Sequence, residues 1–197
     1  MLDSRGLSLI ELLTGLTITA LALAVVLPAF ADLGAAGRVG AGAREMAMTF
    51  HALRWKAVSR QRSHGLLFER QGEFWTWREV ADGNGNGLRT AEVRAGTDPT
   101  LSGPHLMKNR VQGVRLGFLP VDGVPRIPPR RGFLEGANDP VRFGNSDLVS
   151  FSSLGSASSG TLFLTDGRNE LCAVVLFGPT ARVRVWRYDR RVGEWRL

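Results

Sequence analysis

Between Leu7 and Leu27 the chain reads LSLIELLTGLTITALALAVVL, and no other stretch constrains its folding as tightly. About 21 nearly continuous apolar residues make ~30 Å of helix, the thickness of a hydrocarbon core. Yet Glu11 sits about one turn inside. Three kinds of segment share this outline. One is a secretory signal peptide, with Arg5 as its basic region and Ala29-Phe30-Ala31 as a small-x-small cleavage site. Another is an ordinary amino-terminal anchor. The third is cut before the apolar stretch instead of after it. Glu11 separates them. A carboxylate inside lipid costs about 2–3 kcal/mol or more, and neither a signal peptide nor a plain anchor gains from it. A helix that leaves the bilayer to pack against copies of itself can use it.

Beyond Pro28 the composition turns small, and Gly34, Gly37 and Gly40 each lower helix propensity by roughly 1 kcal/mol. The helix is nevertheless expected to continue or resume. Val39, Ala43, Met46, Phe50, Leu53 and Ala57 recur at spacings of four and three, the stripe of an amphipathic helix packed on a core. Arg60, Arg62 and His64 fit a last turn, and Gly65 fits the cap that follows it. After Gly65 come short β-type runs: GLLFER, EFWTWREV, GVRLGFL, LVSFSS, GTLFLTD, LCAVVLF and ARVRVWRY, separated by Gly, Pro, Asn and Asp. The expected class is α+β: a long amino-terminal, transmembrane helix followed by an antiparallel β-sheet domain. With 197 residues and 44% hydrophobic content, one domain plus an anchor is the natural size.

Gly6-Leu7-Ser8-Leu9-Ile10-Glu11-Leu12-Leu13 closely resembles the signal of type IV pilins and type II secretion pseudopilins. The resemblance implies cleavage by a prepilin peptidase after Gly6 and methylation of the new amino terminus at Leu7. It also implies that Glu11 pairs with a neighbouring subunit's amino terminus during assembly, which would offset the cost of burying the carboxylate. Leu7 departs from the family's usual phenylalanine. Pro28 falls where the family often carries a kinking proline. Farther on, Phe151 with SSLGSASSGTLFLTD, and then LCAVVLFGPTARVRVW, is similar to the H-type minor pseudopilins and the related FimT pilins. Ala181 stands where their Gly-Arg-x-Arg motif has its glycine. The segment LRWKAVSRQRSHGLLF resembles the family's passage from helix to first strand. The matches cover 6–30, 51–68 and 151–185; the region 80–150 matches loosely.

On this resemblance residues 1–6 are a leader, 7–30 a transmembrane and assembly helix, 31–64 its amphipathic continuation, and 65–197 the β-rich domain. The expected protein is a minor pseudopilin, a structural subunit of a type II secretion pseudopilus. Its partners would be other pilin or pseudopilin subunits, the prepilin peptidase and the inner membrane. It would cross the bacterial inner membrane once, hold its β-domain in the periplasm, and join a filament after assembly. The alternative is a FimT-like minor type IV pilin that binds DNA during uptake.

Two further motifs carry chemistry. In DGNGNGLRTAEVRAGTD (82–98), Asp82, Asn84, Asn86 and Gly87 match the front of a calcium loop, with oxygens at alternate positions and a glycine at the sharp turn. Leu88 could add its carbonyl. Glu92 falls one place before the position where a bidentate acid is wanted, and Asp98 lies further on. Calcium is thus a candidate cofactor with a structural role; a Gly/Asn hairpin turn is the competing reading. From Arg182 to Leu197 six arginines face only Asp189 and Glu194, with Trp186, Tyr188 and Trp195 between them. Arg182, Arg184 and Arg187 are candidate DNA contacts. An edge strand with a solvated arginine face accounts for the same pattern. The net charge of +7 comes almost wholly from arginine, a bias that genome composition alone can produce.

No enzyme is expected. His51, His64 and His105 lack metal-ligand spacing, and no nucleophile elbow or P-loop occurs. The single cysteine, Cys172, excludes an internal disulfide and lies in a run that reads as a buried strand.

Overall fold

The computed structural model describes residues 8–121, 123–134 and 139–197, with the backbone alone described over 25–36. Helix α1 (Leu9–Ser59) leads into strand β1 (His64–Gln71) and its hairpin partner β2 (Phe74–Ala81). Helix α2 (Thr90–Ala95), strand β3 (Thr100–Leu106) and the short α3 (Met107–Arg110) follow. Then come β4 (Arg115–Leu116), β5 (Val141–Arg142), β6 (Leu148–Phe151), β7 (Gly160–Thr165), β8 (Leu171–Phe177), β9 (Arg182–Asp189) and β10 (Glu194–Arg196). Among the described residues the strands form two antiparallel sheets. One runs β3-β2-β1-β6; the other runs β10-β9-β8-β7-β4, with β5 also on β7. The class is α+β.

The predicted stripe is the spine of the core. Val39, Ala43, Met46, Phe50, Leu53 and Ala57 are each at most 1% exposed. They meet Leu66 and Phe68 of β1, Val149 and Phe151 of β6, and Leu162, Leu164, Cys172, Val174 and Leu176 of the second sheet. Phe50 sits at the centre, its ring 6.1 Å from Phe143 and 6.0 Å from Phe151. One helix face thus covers both sheets.

The run LCAVVLF is apolar throughout because β8 is buried on both faces. Cys172, Val174 and Leu176 face α1, while Leu171 and Ala173 join Leu119, Val124, Phe163, Tyr188 and Trp195 on the far side. There Trp195 donates its indole N–H to the Pro125 carbonyl at 2.7 Å, tying the last strand to the 117–134 chain.

Two expectations are corrected at the helix. The first concerns its carboxyl end. α1 stops at Ser59, Gln61 takes the left-handed conformation, and the Arg62 amide donates back to the Ala57 carbonyl at 3.1 Å. His64 and Gly65 belong to β1. Gly65 is required there for another reason: a Cβ would lie 2.1 Å from the Val149 carbonyl oxygen of β6.

The second correction concerns the amino end. Among the described residues no helix is long and apolar enough to cross a membrane. α1 runs from Leu9 to Ser59, but its amino-terminal residues are not uniformly apolar. Glu11, Thr14, Thr17 and Thr19 dilute them. The expected long transmembrane helix is not supported, and the single-pass inner-membrane location with a periplasmic β-domain is overturned with it.

Candidate functional site

Three regions carry the residues singled out in the sequence. At the amino end, Gly6 and Leu7 lie outside the described residues. Glu11 lies in the first turn of α1 and is exposed. A carboxylate there complements the positive end of the helix dipole, a contribution of about 0.3–1 kcal/mol. Around it Leu9, Ile10, Leu12, Leu13, Leu16, Ile18, Leu21 and Leu23 are 49–79% exposed. The helix therefore presents apolar side chains in every direction.

The 82–98 loop does bring its polar residues together. Asp82, 2% exposed, is the hub. Its Oδ1 accepts from the Gly85 and Asn84 amides at 2.7 and 3.2 Å, and its Oδ2 from Gly87 at 2.8 Å. Asn84 and Asn86 each donate a side-chain N–H to Glu92, at 3.1 and 3.0 Å. Asp98, absent from the expected ligand set, is the second hub. It is 1% exposed and accepts from the Gly83 amide at 2.9 Å and the Arg89 amide at 3.2 Å. Gly83 fits because a Cβ would stand 1.8 Å from the Thr97 carbonyl oxygen. The Leu88 side chain packs with Leu67, Val80, Val93 and Leu148, pinning the loop to the first sheet. The buried carboxylates are thus satisfied by backbone amides, which is how a self-supporting turn closes. Among the described residues no group of three or more His, Cys, Asp or Glu is placed to hold a metal ion.

The arginine strand divides. Arg182 and Arg184 share one face of β9, with Trp186 and Tyr188; Val183, Val185 and Arg187 face the helix side. β9 pairs with β8 along its length but with β10 only at 187–189, so 182–186 form an outer edge among the described residues. Arg182 and Arg184 are exposed and make no ion pair among those residues. Arg187 instead binds Glu170, donating from Nε at 3.2 Å and Nη2 at 3.3 Å. Burial lifts the Glu170 carboxyl above its ordinary range, and Arg187 opposes that lift. Arg190 donates to the Asn169 side chain at 3.1 Å, and Arg196 reaches Asp189 at 3.3 Å. Only Arg182 and Arg184, of the three candidate DNA contacts, stay together and unengaged.

His64 lacks metal-ligand spacing in the sequence, yet it is the most buried of the histidines. It is 1% exposed, its Nδ1 has no hydrogen-bond partner, and Glu79 Oε1 lies 3.7 Å away. Glu79 is held at 2.7 and 2.8 Å by Lys56. Burial depresses the His64 pKa, and the Glu79 charge only partly restores it. Cys172, 1% exposed, has its thiol pKa pushed up to about 11 by burial, which leaves it unreactive.

No family model matches the chain, and neither a curated protein nor a solved structure matches it.

Proposed function

We propose that the chain is a minor subunit of a pilin-like filament, of the kind that forms the type II secretion pseudopilus. Residues 9–24 are the segment that packs against neighbouring subunits. One observation carries this reading: the apolar side chains of that segment are exposed, with nothing among the described residues covering them. Fully burying a side chain of this size against a neighbour contributes about 1.5–3 kcal/mol. Glu11, the lone acid of the segment, would set register by pairing with a neighbour's positive group. The pilin-type signal around Gly6 and Leu7 supports the same reading from sequence.

A photo-crosslinker at Leu13, in cells that express the full chain with its filament partners, tests it. Adducts with other filament subunits are expected, and Glu11→Ala should reduce them sharply. Monomer alone, with wild-type Glu11, would overturn the assembly role. A second reading, DNA binding, rests on Arg182 and Arg184 standing unpaired on one exposed edge. Affinity for duplex DNA that falls steeply with salt, and drops in the Arg182→Ala/Arg184→Ala double variant, would establish it.

A further inference from the structure

The two sheets treat their open edges differently. β3 ends the first sheet, and its register against β2 shifts on either side of Glu79. It also carries Pro104, which has no N–H to offer. Shifts and prolines keep an edge from taking on another strand. β9 has neither. It runs in unbroken register against β8, from Arg182 opposite Phe177 to Tyr188 opposite Leu171. β10 covers its other side only at 187–189. Alternate N–H and C=O groups of residues 182–185 therefore face outward, without a partner among the described residues. Both faces of the strand are also incomplete here. Val183 and Val185 face α1 but stay half-buried, whereas Leu176 and Val174 opposite them are fully buried. On the far face Arg182 and Arg184 are exposed and unpaired among the described residues, while Glu170 holds Arg187 and Asp189 holds Arg196. A second copy of β9 laid antiparallel on this edge would set arginine against arginine, so like charge excludes the chain's own strand. A strand that alternates acidic and apolar side chains meets both faces at once.

We propose that residues 182–185 of β9 are a docking edge to which an extended partner segment adds as a strand, its acidic side chains beside Arg182 and Arg184 and its apolar ones beside Val183 and Val185. In this mode main-chain hydrogen bonds supply affinity and alternate side chains supply specificity. The edge is separate from residues 9–24 and does not depend on filament assembly. It gives Arg182 and Arg184 a protein partner in place of DNA.

Titration of the full chain with a capped octapeptide of alternating valine and glutamate tests the proposal. One saturable site is expected, with amide exchange slowed at 182–185. A peptide with the same residues in two blocks should bind about tenfold more weakly, because it cannot match both faces. N-methylation at alternate residues gives two further peptides. One set of methyl groups faces β9 and should abolish binding; the other faces solvent and should be tolerated. Arg182→Glu/Arg184→Glu changes only exposed side chains, so it should keep Tm and switch the preference to alternating valine and lysine. Equal binding of the block peptide, or of both methylated peptides, would mean charge attraction without strand addition and would overturn the proposal. Salt-dependent binding of duplex DNA with no saturable peptide site would assign the two arginines to nucleic acid and overturn it as well.

Discussion

The two ends of α1 are built from similar residues and meet opposite fates. Between Val39 and Ala57 the apolar side chains fall on one stripe, and two sheets cover it. Between Leu9 and Leu23 they point in all directions and nothing among the described residues covers them. Apolar content alone therefore does not decide burial; periodicity does. A stripe needs one partner surface, which the chain itself provides. An all-round apolar helix needs a surrounding, which one β-domain cannot supply.

The sharpest way to break this comparison is at the covered end. Phe50→Ala should cost about 3–5 kcal/mol in denaturant unfolding, because the ring sits among Phe143, Phe151 and the helix stripe. A loss under 1 kcal/mol would mean that the stripe is not the core.

A polar contrast should follow. Asp82→Ala leaves three loop amides without their acceptor and should cost about 1–3 kcal/mol. The cost should be the same with calcium or with a chelator. A loss that appears only without chelator would show that calcium, not the amides, holds the loop.

The junction of α1 and β1 should respond to acid. The folded-state pKa of His64 is below its unfolded value, because burial favours the neutral ring. Its contribution is therefore fully present above the unfolded value of about 6.5 and is lost as pH falls below it toward the depressed folded pKa. Glu79 on β2, Arg60 just past the end of α1 and Lys56 on α1 set the local field. Unfolding titrations should show this acid slope in the wild type and a shallower one in His64→Gln.

The smallest effect belongs at the uncovered end. Leu16→Gln should change stability by no more than about 0.5 kcal/mol, since the side chain is 65% exposed. It should still reduce crosslinking to filament partners. A large stability loss would mean that residues 9–24 are covered within the chain after all.

Much of this architecture is legible in the sequence, and the exceptions have physical reasons. The stripe of α1 and the runs that became β1, β2, β6, β7, β8 and β9 follow from period alone. β3 (TLSGPHL) does not, because it is an exposed edge strand whose first five residues lack any buried face. β5 and β10 are two and three residues long, too short for a pattern. Gly65 resembles a helix cap in sequence, yet its place is set by the close approach of β6, which only tertiary structure reveals. For Arg187 the parity of the strand already opposes it to Arg182 and Arg184. Its pairing with Glu170 depends on how β8 aligns with β9. In the 82–98 loop the convergence of Asp82, Asn84, Asn86 and Glu92 is readable from spacing. The role of Asp98 is not, since its carboxylate acts on amides 9 and 15 residues away.

The unbroken run of α1 from Leu9 to Ser59 has a mechanical consequence. At 1.5 Å per residue, about 45 Å of helix separates Leu9 from the first buried residue of the stripe, Val39. Such a rod is a lever. A pull along its axis loads the whole stripe from Val39 to Ala57 at once, in shear, where many contacts share the strain. A sideways push at the tip instead multiplies its torque at Val39 and peels the contacts one by one. Tension along the shaft is therefore the load that the contacts of this stripe resist best.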